Sequence, residues 1–156
     1  MSIIVIDDED YNLDILKRIL IKNGFISVKC YNKAEDVLES FYDEPIDNVD
    51  LFLVDRNLPG LSGIEFTQRI RNNPKTCKLP VVMQTASSNL REVQEGIEAG
   101  VDYYVTKPFS SKDLIKNVNQ ALERKKHKTH LPEWINMAFL HGIPTKFTDF
   151  PKKLTA

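Results

Sequence analysis

Cysteine is scarce in this chain of 156 residues: there are two, Cys30 and Cys77. Neither stands at a metal-site or redox spacing, so a disulfide framework and a cysteine-based metal or redox motif are both excluded. Net charge is nearly absent too, at -1 from 21 basic and 22 acidic residues. That removes the global field that would argue for nucleic acid or a membrane surface. No apolar run approaches the roughly 20 residues of a membrane span. The first such run, Ile3–Ile6, is far too short for a secretory leader and has no basic segment before it. The simplest compartment is a reducing cytoplasm. What remains is an ordinary globular composition, 42% hydrophobic and 28% charged, long enough for one domain with its own core.

The most informative stretch is Leu51-Phe52-Leu53-Val54-Asp55, followed by Arg56-Asn57-Leu58-Pro59-Gly60. Four apolar residues in a row read as a strand buried on both faces, since a half-exposed strand would alternate. The run stops at a carboxylate before Asn57, Pro59 and Gly60 break the structure. Ile3-Ile4-Val5-Ile6 ends the same way, in Asp7-Asp8-Glu9.

Around these two strands the pattern alternates. Asp10 is expected to cap a helix to about Asn23, with Leu13, Leu16, Ile19 and Leu20 inward. Phe25–Tyr31 reads as a second strand, and Ala34, Val37, Leu38 and Phe41 give the next helix one buried face. Ser62 is placed to cap a third helix carrying Ile64, Phe66 and Ile70. Pro80–Gln84 is a strand stopping at Thr85-Ala86, and Leu90, Val93 and Ile97 mark a fourth helix closed by Gly100. Val101–Val105 is the fifth strand, leading to Thr106-Lys107-Pro108-Phe109. Ser110 or Ser111 caps a last helix with Leu114, Val118, Ala121 and Leu122 on one face. There is no internal repeat. The order implies an α/β fold, a doubly wound (βα)5 unit with a five-stranded parallel sheet. Its expected strand order is the flavodoxin-like 2-1-3-4-5.

That topology brings Asp7, Asp8, Asp55, Thr85 and Lys107 to one sheet edge. A hard divalent cation such as Mg²⁺ takes oxygen ligands, often a few carboxylates completed by waters and phosphate oxygens. Three aspartates balance such a cation together with Lys107. Asp55, central among them, is a candidate nucleophile of the aspartyl-phosphate type. The Thr85 hydroxyl and the lysine would then stabilise a transferring phosphoryl group. Each residue alone has a plainer reading: a solvated helix start, a turn cap, an ordinary loop lysine. Their joint occurrence at matching strand ends is what carries the functional one.

These residues resemble the receiver domain of two-component response regulators, over about residues 1–124. The resemblance rests on Asp7-Asp8, on Asp55 with Leu58-Pro59-Gly60 and Gly63, on Thr85-Ala86, and on Lys107-Pro108-Phe109. It implies that Asp55 accepts a phosphoryl group from the phosphohistidine of a sensor kinase, or exchanges it with a histidine phosphotransfer protein. It further implies Mg²⁺ held by Asp7, Asp8, Asp55 and the Asn57 backbone carbonyl, with Thr85 and Lys107 on the phosphate. Tyr104 matches the aromatic that moves with the threonine. Such a chain catalyses only its own phosphorylation and dephosphorylation, with Asn57 and Ser87 flanking the path of the attacking water.

Residues 125–156 form an extension with a short helix expected at about 132–141 and no separate output domain. The basic run Arg124–Lys128 reads as a solvated linker rather than a nucleic-acid contact. The Trp134 segment reads as a helix extending the core, or else as an addition covering the output face. The implied protein is a chemotaxis-type, stand-alone receiver that signals by binding. Its output face is the fourth helix, fifth strand and fifth helix, open to a protein target or a second copy. Three alternatives are a phosphorelay intermediate, a haloacid-dehalogenase-like phosphatase and a flavodoxin. The phosphatase family places a second acid two residues after its nucleophile, where this chain has Asn57. The acidic loop after the first strand would repel a flavin phosphate.

Overall fold

The computed structural model describes residues 1–126 apart from 44, 45 and 88; the expected helix at about 132–141 lies outside them. Five strands alternate with five helices: β1 (Ser2–Ile6), α1 (Asp10–Lys22), β2 (Ser27–Tyr31), α2 (Ala34–Asp43), β3 (Leu51–Asp55), α3 (Gly63–Asn72), β4 (Val81–Thr85), α4 (Leu90–Ala99), β5 (Tyr103–Thr106) and α5 (Ser111–Lys126). A 3₁₀ turn at Ile46–Asn48, for which the sequence gives no warning, precedes β3. The sheet order is β2-β1-β3-β4-β5, as expected, and every pairing is parallel.

Alternation along the strands divides the core into two layers. Ile3, Val5, Leu51, Leu53, Val82, Tyr103 and Val105 cluster with α1 and α5 through Leu13, Leu16, Leu20, Leu114, Val118 and Leu122. Ile4, Ile6, Phe52, Val54 and Val81 face the other way, onto Ala34 and Val37 of α2 and Phe66 and Ile70 of α3. There Phe52 meets Phe41 and Phe66 edge-on, at centroid distances of 6.1 and 5.4 Å. All five residues of β3 are buried, which explains its unbroken apolar run.

Element ends follow local chemistry with a few shifts. The N-cap of α1 is Glu9, not Asp10, and no side chain caps it; Asp7 instead takes the Glu9 amide at 2.9 Å. Strand β2 begins at Ser27 rather than Phe25, and β5 at Tyr103 rather than Val101. Both displaced residues are nevertheless buried. Ser62 caps α3 in a reciprocal box with Glu65, and Ser110 rather than Ser111 accepts the Asp113 amide at 3.1 Å. Gly100 closes α4 with φ 95°, a conformation that suits glycine.

At the N-terminal end of the sheet a charged network holds the layers together. Arg71 donates to the Gly100 and Leu79 carbonyls at 3.0 and 2.6 Å and to Asp102 at 2.7 Å. The same Asp102 carboxylate accepts from the Val81 amide and from Arg124, each at 2.8 Å. Arg124 is therefore tied into the domain rather than being part of a solvated run.

Candidate functional site

The opposite end of the sheet carries the chemistry. Strand β1 delivers Asp7 and Asp8, β3 delivers Asp55, and the chain leaving β5 delivers Lys107. The carboxylates of Asp7, Asp8 and Asp55 each offer an oxygen within 4.8 Å of the others. Asp7 is fully buried and Asp55 is 7% exposed, whereas Asp8 faces solvent. Lys107 bridges the two buried acids, with Nζ 2.8 Å from Asp55 Oδ2 and 3.2 Å from Asp7 Oδ2. The Lys107-Pro108 peptide is cis.

Each acid is held from behind as well. Asp7 Oδ1 accepts from the Glu9 amide at 2.9 Å and from the Asn12 side-chain amide at 3.5 Å. Asp55 Oδ1 accepts from the Asn57 amide at 3.1 Å. Gly63, at the start of α3, packs directly on the Asp55 carbonyl and the Arg56 Cα, where a Cβ would collide. Only glycine allows that approach, and it fixes the backbone of the central acid.

Burial is the main influence on Asp55 and raises its pKa; the Lys107 and Asn57 hydrogen bonds pull it back by less. For Lys107, burial acts to lower the pKa, but the two carboxylates outweigh it and the net shift is upward. The lysine is thus a fixed cation. Three carboxylates against one ammonium leave two negative charges in a small space, which a divalent cation would balance. Oxygen-only donors favour a hard ion such as Mg²⁺ over a thiophilic one.

Of the residues expected at the site, Asp7, Asp8, Asp55 and Lys107 come together. Thr85 is buried at the end of β4, where its hydroxyl oxygen accepts the Ser87 amide at 3.2 Å. Asn57 contributes its amide to Asp55. Tyr104 points away from the acids and onto α4: its hydroxyl donates to the Glu92 carbonyl at 3.3 Å. It fills a notch where a Cβ on Gly96 would overlap it. Burial pushes its pKa up to about 12.

Several contributors escaped the sequence reading. Asn12 is one, and only its place one turn into α1 hints at it. Glu35 is another, accepting the Leu61 amide at 2.8 Å and so fastening the loop after Asp55. Gln84 ends the apolar run of β4 and is fully buried, its register partner on β3 being Asp55. Among the described residues no helix is long and apolar enough to cross a membrane.

Comparison with known proteins matches the family that the sequence resembles. The family model for the response regulator receiver domain matches residues 3–119. The phosphate regulon transcriptional regulatory protein PhoB of Escherichia coli is 35% identical over 148 residues, 92% of this chain and 60% of PhoB. The chain therefore spans about 60% of the length of that relative. A putative response regulator from Chloroflexus aurantiacus superposes with a TM-score of 0.72 at 30% identity, covering 79% of this chain and 98% of that one. A response regulator receiver domain protein from Clostridium thermocellum gives 0.73 at 27% identity, covering 82% and 98%. With that family model matching most of the chain, and with this fold, the chain belongs to the response regulator receiver domain family.

Proposed function

We propose that this receiver is a phosphoacceptor of a two-component system acting in the cytoplasm, with Asp55 as the nucleophile. The observation that carries the reading is the Lys107 bridge between Asp55 and Asp7 inside a three-carboxylate cluster. An Asp55 carboxylate oxygen forms a bond to phosphorus while the P–N bond of a donor phosphohistidine breaks, and the imidazole departs with its electron pair. Lys107 stays beside the reacting oxygen and meets the charge on the transferred group. Thr85, one strand along, exchanges its Ser87 contact for a phosphoryl oxygen. Asp7, Asp8, Asp55 and the Asn57 carbonyl would hold Mg²⁺, which neutralises phosphoryl oxygens when bound. Hydrolysis of the acyl phosphate returns the carboxylate, so the chain acts catalytically only on itself.

The donor is a sensor kinase or a histidine phosphotransfer protein. Output is a shift between two conformations of the α4–β5–α5 face, which docks a protein target or a second copy.

Intact mass after incubation with acetyl phosphate and Mg²⁺ tests the chemistry. Wild type is expected to gain one phosphoryl group and Asp55→Asn none. Equal uptake by both would move the nucleophile elsewhere, and no uptake by either, with no Mg²⁺ binding, would sink the reading.

A further inference from the structure

Arg56 follows the phosphoacceptor directly, yet its side chain is only 11% exposed. Its backbone is pinned: the amide donates to the Gln84 carbonyl at 2.9 Å and the carbonyl accepts from Gly63 at 3.0 Å. From that fixed base the guanidinium reaches α4. Nη1 donates to the Glu92 carbonyl at 3.2 Å, Nη2 to the Glu95 carboxylate, and Nε lies 3.8 Å from the Glu92 carboxylate. The Tyr104 hydroxyl shares the Glu92 carbonyl with it.

The helix receiving these contacts is unevenly anchored. Its buried residues are Gly96, Ile97 and Ala99, all in its second half. None of the residues from Leu90 to Glu95 is buried, and Leu90 is 44% exposed. The half nearer the phosphoacceptor therefore has little apolar burial of its own, and such segments open at low free-energy cost. Polar fastening from Arg56 and Tyr104 decides whether those turns stay docked. Of the two fasteners, Arg56 is joined to Asp55 by a single peptide bond.

We propose that Arg56 is a positioning residue that clasps the first two turns of α4 and transmits the state of Asp55 to that helix. The route starts at the Asp55–Arg56 peptide and meets the Tyr104 hydroxyl at the shared Glu92 carbonyl. A rearrangement of the Asp55–Asn57 loop shifts the base of the guanidinium, and a fork fitted to one carbonyl and two carboxylates does not follow small shifts without losing bonds. The signalling half of the proposal rests on the phosphoacceptor reading above; the clasp itself does not.

Hydrogen exchange of the full chain, read by mass spectrometry on α4 peptides, tests both halves. The proteins are wild type, Arg56→Met and Arg56→Lys, each with and without acetyl phosphate and Mg²⁺, with intact mass recording the phosphoryl group. Without phosphate, exchange in the first half of α4 is expected to rise roughly ten- to a hundredfold in Arg56→Met, by loss of charge-assisted bonds, with α1 unchanged. Arg56→Lys, which keeps the charge but not the fork, should exchange nearly as fast. With phosphate, wild-type α4 exchange is expected to change, and the Met variant to take up the group with little further change. Unaltered α4 exchange in both variants would overturn the clasp. A phosphate-dependent change in Arg56→Met as large as that of wild type would overturn the coupling. No mass increase in wild type would instead remove the phosphoacceptor reading and the coupling with it, while the phosphate-free comparison still decides the clasp.

Discussion

Replacing Asp55 with Asn is expected to abolish phosphoryl uptake and, without metal, to make the domain more stable. Asp55 is 7% exposed and its pKa is raised, chiefly by burial. A carboxylate with a higher pKa folded than unfolded supports the fold below its unfolded value. It loses that support as pH rises through the folded value. Near neutral pH the ionised Asp55 therefore works against folding. Each of the two neighbouring acids, with an oxygen within 4.8 Å, repels an ionised Asp55 by about 3.5 kcal/mol at an effective dielectric near 20, or about 7 kcal/mol for the two. The Lys107 contact at 2.8 Å offsets much of this, and Asn leaves Lys107 with Asp7. A net gain of about 1 kcal/mol is the expectation, or about 0.5 M in the urea midpoint at a slope near 2 kcal/mol/M. Mg²⁺ at ten times its dissociation constant stabilises the binding form by about 1.4 kcal/mol, so wild type should draw level or pass the variant. Urea unfolding at pH 7, once in EDTA and once in Mg²⁺, measures both. A variant less stable than wild type in EDTA, or a gap indifferent to Mg²⁺, would refute the electrostatic reasoning.

Two further outcomes lie away from the acid cluster. Asp102→Ala removes the acceptor of Arg71, Arg124 and the Val81 amide and is expected to cost about 2–4 kcal/mol. Phosphoryl uptake at the far end of the sheet should be intact, and a midpoint within experimental error of wild type would contradict the network's role. Tyr104 should ionise near about 12, against an ordinary 10.0, because burial disfavours the phenolate. Its contribution to stability is then present below pH 10.0 and lost as pH rises through about 12. Alkaline absorbance titration of wild type against Tyr104→Phe checks this, and a last ionisation step surviving in the Phe variant would count against it.

How much could be read in the chain depended on how far apart the partners lie. Asp7, Asp8, Asp55 and Lys107 were legible because each ends a short apolar run, and a parallel sheet collects strand ends at one edge whatever the details of packing. Cap positions slipped by a residue where one side chain had two possible tasks. Asp7 takes the Glu9 amide, so α1 starts with no cap from Asp10. Arg124 looked like part of a basic tail because its partner Asp102 lies 22 residues back. Arg56 carries no signal of its contacts in the sequence, because Glu92 and Glu95 lie 36 and 39 residues on. No local periodicity signals such a contact.

The same distinction separates the rigid part of the domain from the responsive part. Strand β3 is buried along its whole length and packs on both layers, so Asp55 stands on a base that a change of charge will hardly move. Helix α4, by contrast, is held near the site by hydrogen bonds and ion pairs, each worth little and each sensitive to a small displacement. Under the proposed function, charge added at Asp55 is absorbed by whatever yields at least cost. The polar attachment of α4 yields before the apolar seat of β3. A receiver built with an apolar first half on α4 would be the more stable domain, but under the proposed function it would report less of the state of Asp55.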